Sequence, residues 1–184
     1  MSPQTLFLSV NVLGGLAVIS SYLIGLWYFP EHRNELWGGI QDNWKNVLVL
    51  SMLLAAAGYM TFCYFAVFRE GANILGKFMF LGPHTISWLT ALFLVAAAAW
   101  MPASIFYLHT GNGLWWVATV AVLWITALTL ITLTVVVAFS DDQATPMLDR
   151  ISCTIGLSLI TTHCLFVDAI IWVVFFHRKG DLNV

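Results

Sequence analysis

Five long apolar stretches constrain this 184-residue chain more than any other feature of its sequence. A membrane-spanning helix needs about 20 mostly apolar residues, and each stretch is long enough. The connections between the stretches are short. The sequence therefore predicts an all-α integral membrane protein, with one five-helix transmembrane domain over residues 1–184. The predicted spans run approximately over residues 5–29, 47–68, 86–107, 114–139 and 151–176.

Charged residues are too scarce to cover a water-facing surface. They make up 9% of the chain, whereas soluble domains carry about 25%. The formal net charge of −2 gives no basic field to attract phosphate backbones, so we expect no nucleic-acid partner. The pattern indicates a multi-pass membrane protein, without distinguishing a mitochondrial, plastid or bacterial membrane.

The fifth predicted span contains Asp168, the one charged residue inside any predicted span. Polar side chains recur at spacings of three or four up to Asp168, and Trp172 follows one turn later. An ionisable group at that depth is costly unless it faces protein or water, so Asp168 is expected to face the bundle interior. A structural hydrogen bond, a ligand contact and a proton relay all remain open for it. On an α-helix His163 lies about 140° around from Asp168, which predicts no direct contact between them.

Tryptophan is unusually frequent, with nine residues in the chain. Trp100 precedes Pro102 in the third span, and a proline within a membrane helix bends it. The bend is compatible with an ordinary kink and also with a ligand pocket beside Trp100. The predicted first loop, residues 30–46, is the longest. Its indoles form either an aromatic belt at the lipid headgroups or a lid over a pocket. The remaining indoles near an interface are Trp27, Trp115 and Trp116.

Motifs for catalysis and metal binding are missing from the sequence. We find no nucleophile elbow, phosphate-binding loop, HExxH or paired-carboxylate spacing. Cys63, Cys153 and Cys164 have no metal-ligand spacing, and His163 has no second mid-membrane histidine with which to hold a haem. We therefore assign no catalytic residue and no metal ligand, and we expect no required cofactor, although a tetrapyrrole or lipid can still be bound.

Several short motifs resemble those of the translocator protein family, also called tryptophan-rich sensory proteins. Trp100-Met101-Pro102 followed by Ile105-Phe106-Tyr107 is similar to the family's third helix, and Val122-Leu123-Trp124 with Ala127 to its fourth. Phe166-Val167-Asp168 with Ile170-Ile171-Trp172 is similar to its fifth, and Gly58-Tyr59 to its second. Asp168 stands where the family has Asn. The family's Lys-Pro and Pro-Pro elements are absent from the first loop.

The resemblance implies a bundle that encloses a hydrophobic pocket open toward the first loop. Family members bind porphyrins, sterols and flat aromatic drugs, and they commonly form homodimers. This implies a sensor or transport role, with a hydrophobic small molecule and membrane lipid as partners. The candidate ligand-binding residues are Trp27, Trp37, Trp44, Trp100, Pro102, Trp115, Trp116, Asp168 and Trp172.

Two other functions remain compatible with the sequence. The first is a structural accessory subunit of a larger respiratory or photosynthetic membrane complex, because such subunits are small, helical and without chemistry of their own. The second is a proton-coupled transporter or channel that uses Asp168 and His163.

Overall fold

The described part of the chain contains five helices long and apolar enough to cross a membrane, as predicted. A computed structural model describes residues 1–69, 82–140 and 146–176. Within these residues the chain is helical and contains no strand. The helices are α1 (Pro3–Tyr28), α2 (Asp42–Phe68), α3 (Thr85–Thr110), α4 (Gly113–Ala138) and α5 (Met147–Phe175).

Two helices begin a full turn or more before the starts that hydropathy predicts. α2 starts at Asp42 rather than residue 47, and α5 starts at Met147 rather than residue 151. The extra turns are polar: the Asp42 carboxylate pairs with the Lys45 ammonium at 2.8 Å, one turn apart. Hydropathy marks the part of a helix that suits lipid, whereas the helix itself continues into the polar interface. The assignment of Trp44 to the first loop is therefore wrong, because Trp44 lies in the first turn of α2.

The helices form a ring in the order α1, α3, α4, α5, α2. α3 packs between α1 and α4, and α5 packs between α4 and α2, whereas α1 and α2 touch only slightly. One end of the bundle gathers the connection after α1, the α3–α4 turn and the end of α5. We call this end the loop face. The connection itself, residues 29–41, contains two short 3₁₀ turns, and we call it the mouth loop.

Small residues set how closely the helices approach. A Cβ added to Gly58 of α2 would collide with the carbonyl oxygen of Gly156 of α5, and the reverse holds for Gly156. On α1, a Cβ at Gly25 would lie 2.6 Å from the Met101 side chain of α3. Close backbone contact between glycines is a common way to join membrane helices, because lipid offers no hydrophobic drive for association.

α5 changes its helical geometry halfway. Met147–Thr162 is α-helical, His163–Trp172 is π-helical and Val173–Phe175 returns to α-helix. In a π-helix each N–H bonds to the carbonyl five residues back. Such segments are rare in proteins, and those that occur are often found at functional sites. The π segment carries Asp168 and Trp172, so the last part of the sequence-predicted polar face lies on the unusual part of the helix.

Candidate functional site

A cavity of about 380 Å³ opens within the half of the bundle nearest the loop face. Its size falls within the range of small-molecule sites. The mouth loop and all five helices line it. The lining residues are Tyr22, Leu26, Arg33, Leu36, Trp37, Ile40, Leu48, Met52, Phe93, Ala97, Trp100, Met101, Leu123, Thr126, His163, Cys164, Val167, Asp168 and Trp172.

Three aromatic side chains on different helices form one wall of the cavity. The Trp100 ring of α3 lies 5.6 Å from the Tyr22 ring of α1, tilted by 33°. On its other side the Trp100 ring meets the Trp172 ring of α5 edge-on, at 5.5 Å and 73°. Aromatic pairs prefer such offset and edge arrangements because each ring has a negative face and a positive edge. The wall therefore presents flat apolar surface to the cavity from three helices.

Trp100 also carries an unused hydrogen-bond donor. Its Nε1 is fully buried and has no hydrogen-bond partner among the described residues. Buried indole N–H groups usually find a partner, and an unpaired one is costly. Pro102, which follows in the same helix, is exposed on the outside of the bundle, and α3 continues helical through it. The pocket beside the Trp-x-Pro motif is thus lined by Trp100 and Met101, and not by the proline.

The mouth loop is fastened to the end of α5. The Trp172 indole donates a 2.8 Å hydrogen bond to the Leu36 carbonyl, and the Gly39 N–H donates a 2.7 Å bond to the Phe175 carbonyl. Gly38 has a φ of 57°, a conformation that side chains disfavour. A Cβ there would also lie 2.9 Å from the Phe176 Cα. The loop therefore covers the cavity, and the same tryptophan that lines the cavity holds it in place.

A polar chain runs along the cavity's edge from α2 to α5. The Ser51 hydroxyl and His163 Nδ1 lie within hydrogen-bonding distance, at 2.8 Å, and His163 Nε2 lies 3.5 Å from Asp168 Oδ1. The prediction that His163 and Asp168 do not meet is therefore wrong. It assumed α-helical geometry, whereas the π segment brings residues five apart onto the same side of the helix.

The sequence-predicted site residues divide into three groups. Trp37, Trp100, Asp168 and Trp172 line the cavity. Trp116 lies behind the wall, where its ring stacks on Trp172 at 6.0 Å and on Phe176 at 5.0 Å. The structure does not bring the others to the cavity: Trp27 is 79% exposed, Trp44 is 61% exposed, Trp115 stacks on Phe106 and Pro102 faces outward.

Sequence reasoning missed most of the remaining lining. Tyr22 on α1 and Arg33 in the mouth loop carry no motif that would single them out. The sequence names His163 only for the proton-coupled alternative, and its contact with Asp168 could be predicted only by anticipating the π segment. The apolar members, such as Phe93 and Met52, look like any other residue of a membrane helix. This is because lipid-facing and inward-facing positions are equally apolar.

Metal-binding groups do not converge in the described ranges 1–69, 82–140 and 146–176. Among these residues, no three His, Cys, Asp or Glu side chains come close enough to hold a metal ion together. The chemistry available at the cavity is therefore stacking, hydrogen bonding and the charge of Asp168 and Arg33.

Comparison with known proteins assigns no family to this arrangement. A scan against protein-family models, a search of curated proteins and a search of solved structures each found no match to this chain.

Proposed function

We propose that this membrane protein binds flat hydrophobic small molecules, such as a tetrapyrrole, a sterol or a similar compound, in the cavity beneath the mouth loop, as a sensor or transport protein. The observation that carries the proposal is the aromatic wall of Tyr22, Trp100 and Trp172 around a 380 Å³ cavity inside the bundle. A cleft of this size with apolar walls and a few convergent polar groups is the usual form of a small-molecule site.

A further feature supports ligand binding over a purely structural core. The mouth loop covers the cavity and is joined to the end of α5 by hydrogen bonds at Leu36 and Gly39, the arrangement expected of a lid over a ligand site. The short motifs shared with translocator proteins support the same class of ligand, and we propose a distant kinship with that family.

The test is a titration of the purified chain in lipid nanodiscs with protoporphyrin IX, followed by tryptophan fluorescence. We expect saturable quenching. Trp100→Ala should weaken binding about tenfold, because it removes a stacking surface worth up to about 1.5 kcal/mol beyond its area. Trp124→Ala is the matched control, since Trp124 is a half-exposed indole outside the lining, and it should bind as wild type does. Absence of saturation, or equal binding by the Trp100→Ala variant, would overturn the proposal.

Binding by the isolated chain also separates this function from that of an accessory subunit of a larger complex. A structural subunit would bind no ligand when purified alone. Native mass spectrometry directly from membranes would show a structural subunit as part of a large assembly. It would show a ligand-binding protein as a monomer or a homodimer.

A further inference from the structure

Asp168 gives the cavity an acidic centre without a strong cationic partner. Its side chain lines the cavity and is 36% exposed, although it lies within a membrane span. Among the residues that the structure describes, no Lys or Arg side chain forms an ion pair with it, and its nearest basic group is His163 Nε2 at 3.5 Å. The other nitrogen of that ring is already engaged with Ser51.

Arg33 is the other charged lining residue, and it belongs to the mouth loop. Its Nε donates a 2.7 Å bond to the Leu26 carbonyl at the end of α1. The acidic group on α5 and the basic group in the loop are thus held by separate elements of the structure. A carboxylate inside a membrane bundle requires a counter-charge or several donors, and the described residues supply few.

Aromatic rings form one wall of the same cavity. Trp172 lies one turn beyond Asp168 on α5, and Trp100 contacts Trp172 and Tyr22. The face of an aromatic ring attracts a cation, most strongly for an indole and more strongly when the site is dry. A carboxylate beside indole and phenol rings is the combination of groups that recognises an organic cation.

We propose that the preferred ligand of this cavity is an organic cation, namely a flat aromatic molecule with a positively charged nitrogen that binds against the Asp168 carboxylate. The inference rests on the proposed function, since it names the ligand class for the same cavity. A neutral sterol packs against the apolar wall but brings no positive charge to the Asp168 carboxylate.

The test compares two probes of nearly equal shape, N-methylacridinium, a permanent cation, and uncharged acridine at pH 8. Binding to the full chain in phosphatidylcholine nanodiscs is measured by equilibrium dialysis, with empty nanodiscs subtracted. We expect the cation to bind about tenfold more tightly than acridine, because charge pairing adds to cation–π attraction in a dry site. Asp168→Asn, which keeps the shape and removes the charge, should abolish that preference, whereas Asp168→Glu should retain it.

Asp149→Asn is the matched control, because Asp149 lies at the start of α5 outside the lining and pairs with Arg69 at 3.1 Å. It should keep the cation preference. Saturable binding of both probes with equal affinity, or a preference that persists in Asp168→Asn, overturns this inference and leaves the proposed function standing. Failure of both probes to saturate, together with failure of protoporphyrin IX, overturns the proposed function and this inference with it.

Discussion

The Nε2 of His163 lies 3.5 Å from the Oδ1 of Asp168, although the two residues are five positions apart on one helix. In an α-helix this spacing separates side chains by about 140°. The π-helical segment His163–Trp172 removes that separation. Asp168 and Trp172 are one turn apart and line the same cavity, so the π segment adds His163 to the side of the helix that already carries the carboxylate and the indole.

Ser51 holds the other side of the His163 ring, across the interface between α2 and α5. Ser51→Ala is expected to lower the free energy of unfolding by about 0.6 to 1.7 kcal/mol, the range measured for hydrogen bonds between membrane helices. The reason is that a buried ring nitrogen loses its interhelical partner. The measurement is unfolding by added SDS in mixed micelles, followed by circular dichroism.

Thr132→Val is the control for Ser51→Ala. The Thr132 hydroxyl is exposed and bonds to the Leu128 carbonyl of its own helix at 2.8 Å. Its removal should change the stability little, because the helix backbone remains bonded without it. Equal losses in the two variants would mean that the Ser51–His163 contact contributes nothing specific.

Gly58 and Gly156 allow the backbones of α2 and α5 to touch. Gly58→Ala should lower the free energy of unfolding by about 1 to 3 kcal/mol, the usual effect of overpacking, because its Cβ would meet the Gly156 carbonyl. Gly15→Ala on α1 is the matched control, since a Cβ there meets nothing within 4 Å. Alanine favours a helix over glycine, so Gly15→Ala should be neutral or stabilising. SDS unfolding measures the free energy of unfolding of both variants. If Gly58→Ala left that free energy unchanged, the prediction would be wrong.

The five spans could be predicted from the sequence because bilayer thickness fixes the length of an apolar helix. The predicted helix boundaries are wrong where the helices extend beyond the apolar core of the bilayer. The first turn of α2, with Asp42 and Lys45, is helical although it is polar. The interface accepts charged side chains, and the salt bridge at 2.8 Å suits helical spacing.

The candidate site could be predicted only in part, and the limit is physical. In a soluble helix the apolar stripe marks the buried side, whereas in lipid both sides are apolar. Indoles at the interface therefore look like indoles in a pocket: Trp27 and Trp44 face outward, and Trp37 and Trp172 line the cavity. Asp168 was placed inward correctly because a charged group cannot face lipid cheaply.

The mouth loop depends on the Trp172 indole as a donor. Trp172→Phe removes the bond to the Leu36 carbonyl and keeps most of the aromatic surface. Since such a bond contributes about 0.5 to 1.5 kcal/mol, amides of residues 36–40 should exchange about two- to tenfold faster. Hydrogen–deuterium exchange with mass spectrometry measures this. Trp124→Phe should leave exchange in the loop unchanged, and an unaltered loop in Trp172→Phe would show that other contacts hold it.

Gly38 is the point where the mouth loop turns against the end of α5. Gly38→Ala should strain a backbone with a φ of 57°, which costs on the order of 1 to 3 kcal/mol, and its Cβ would press on Phe176. The strain is relieved when the loop lifts and the Gly39–Phe175 hydrogen bond breaks. Exchange of the Gly39 amide should therefore accelerate about fivefold or more while α3 and α4 remain protected. Gly113→Ala is the control, because a Cβ there meets nothing within 4 Å. It should leave the exchange rate of the Gly39 amide unchanged. If the Gly39 amide exchanged at the same rate in wild type and in Gly38→Ala, Gly38 would not be the residue that constrains loop closure.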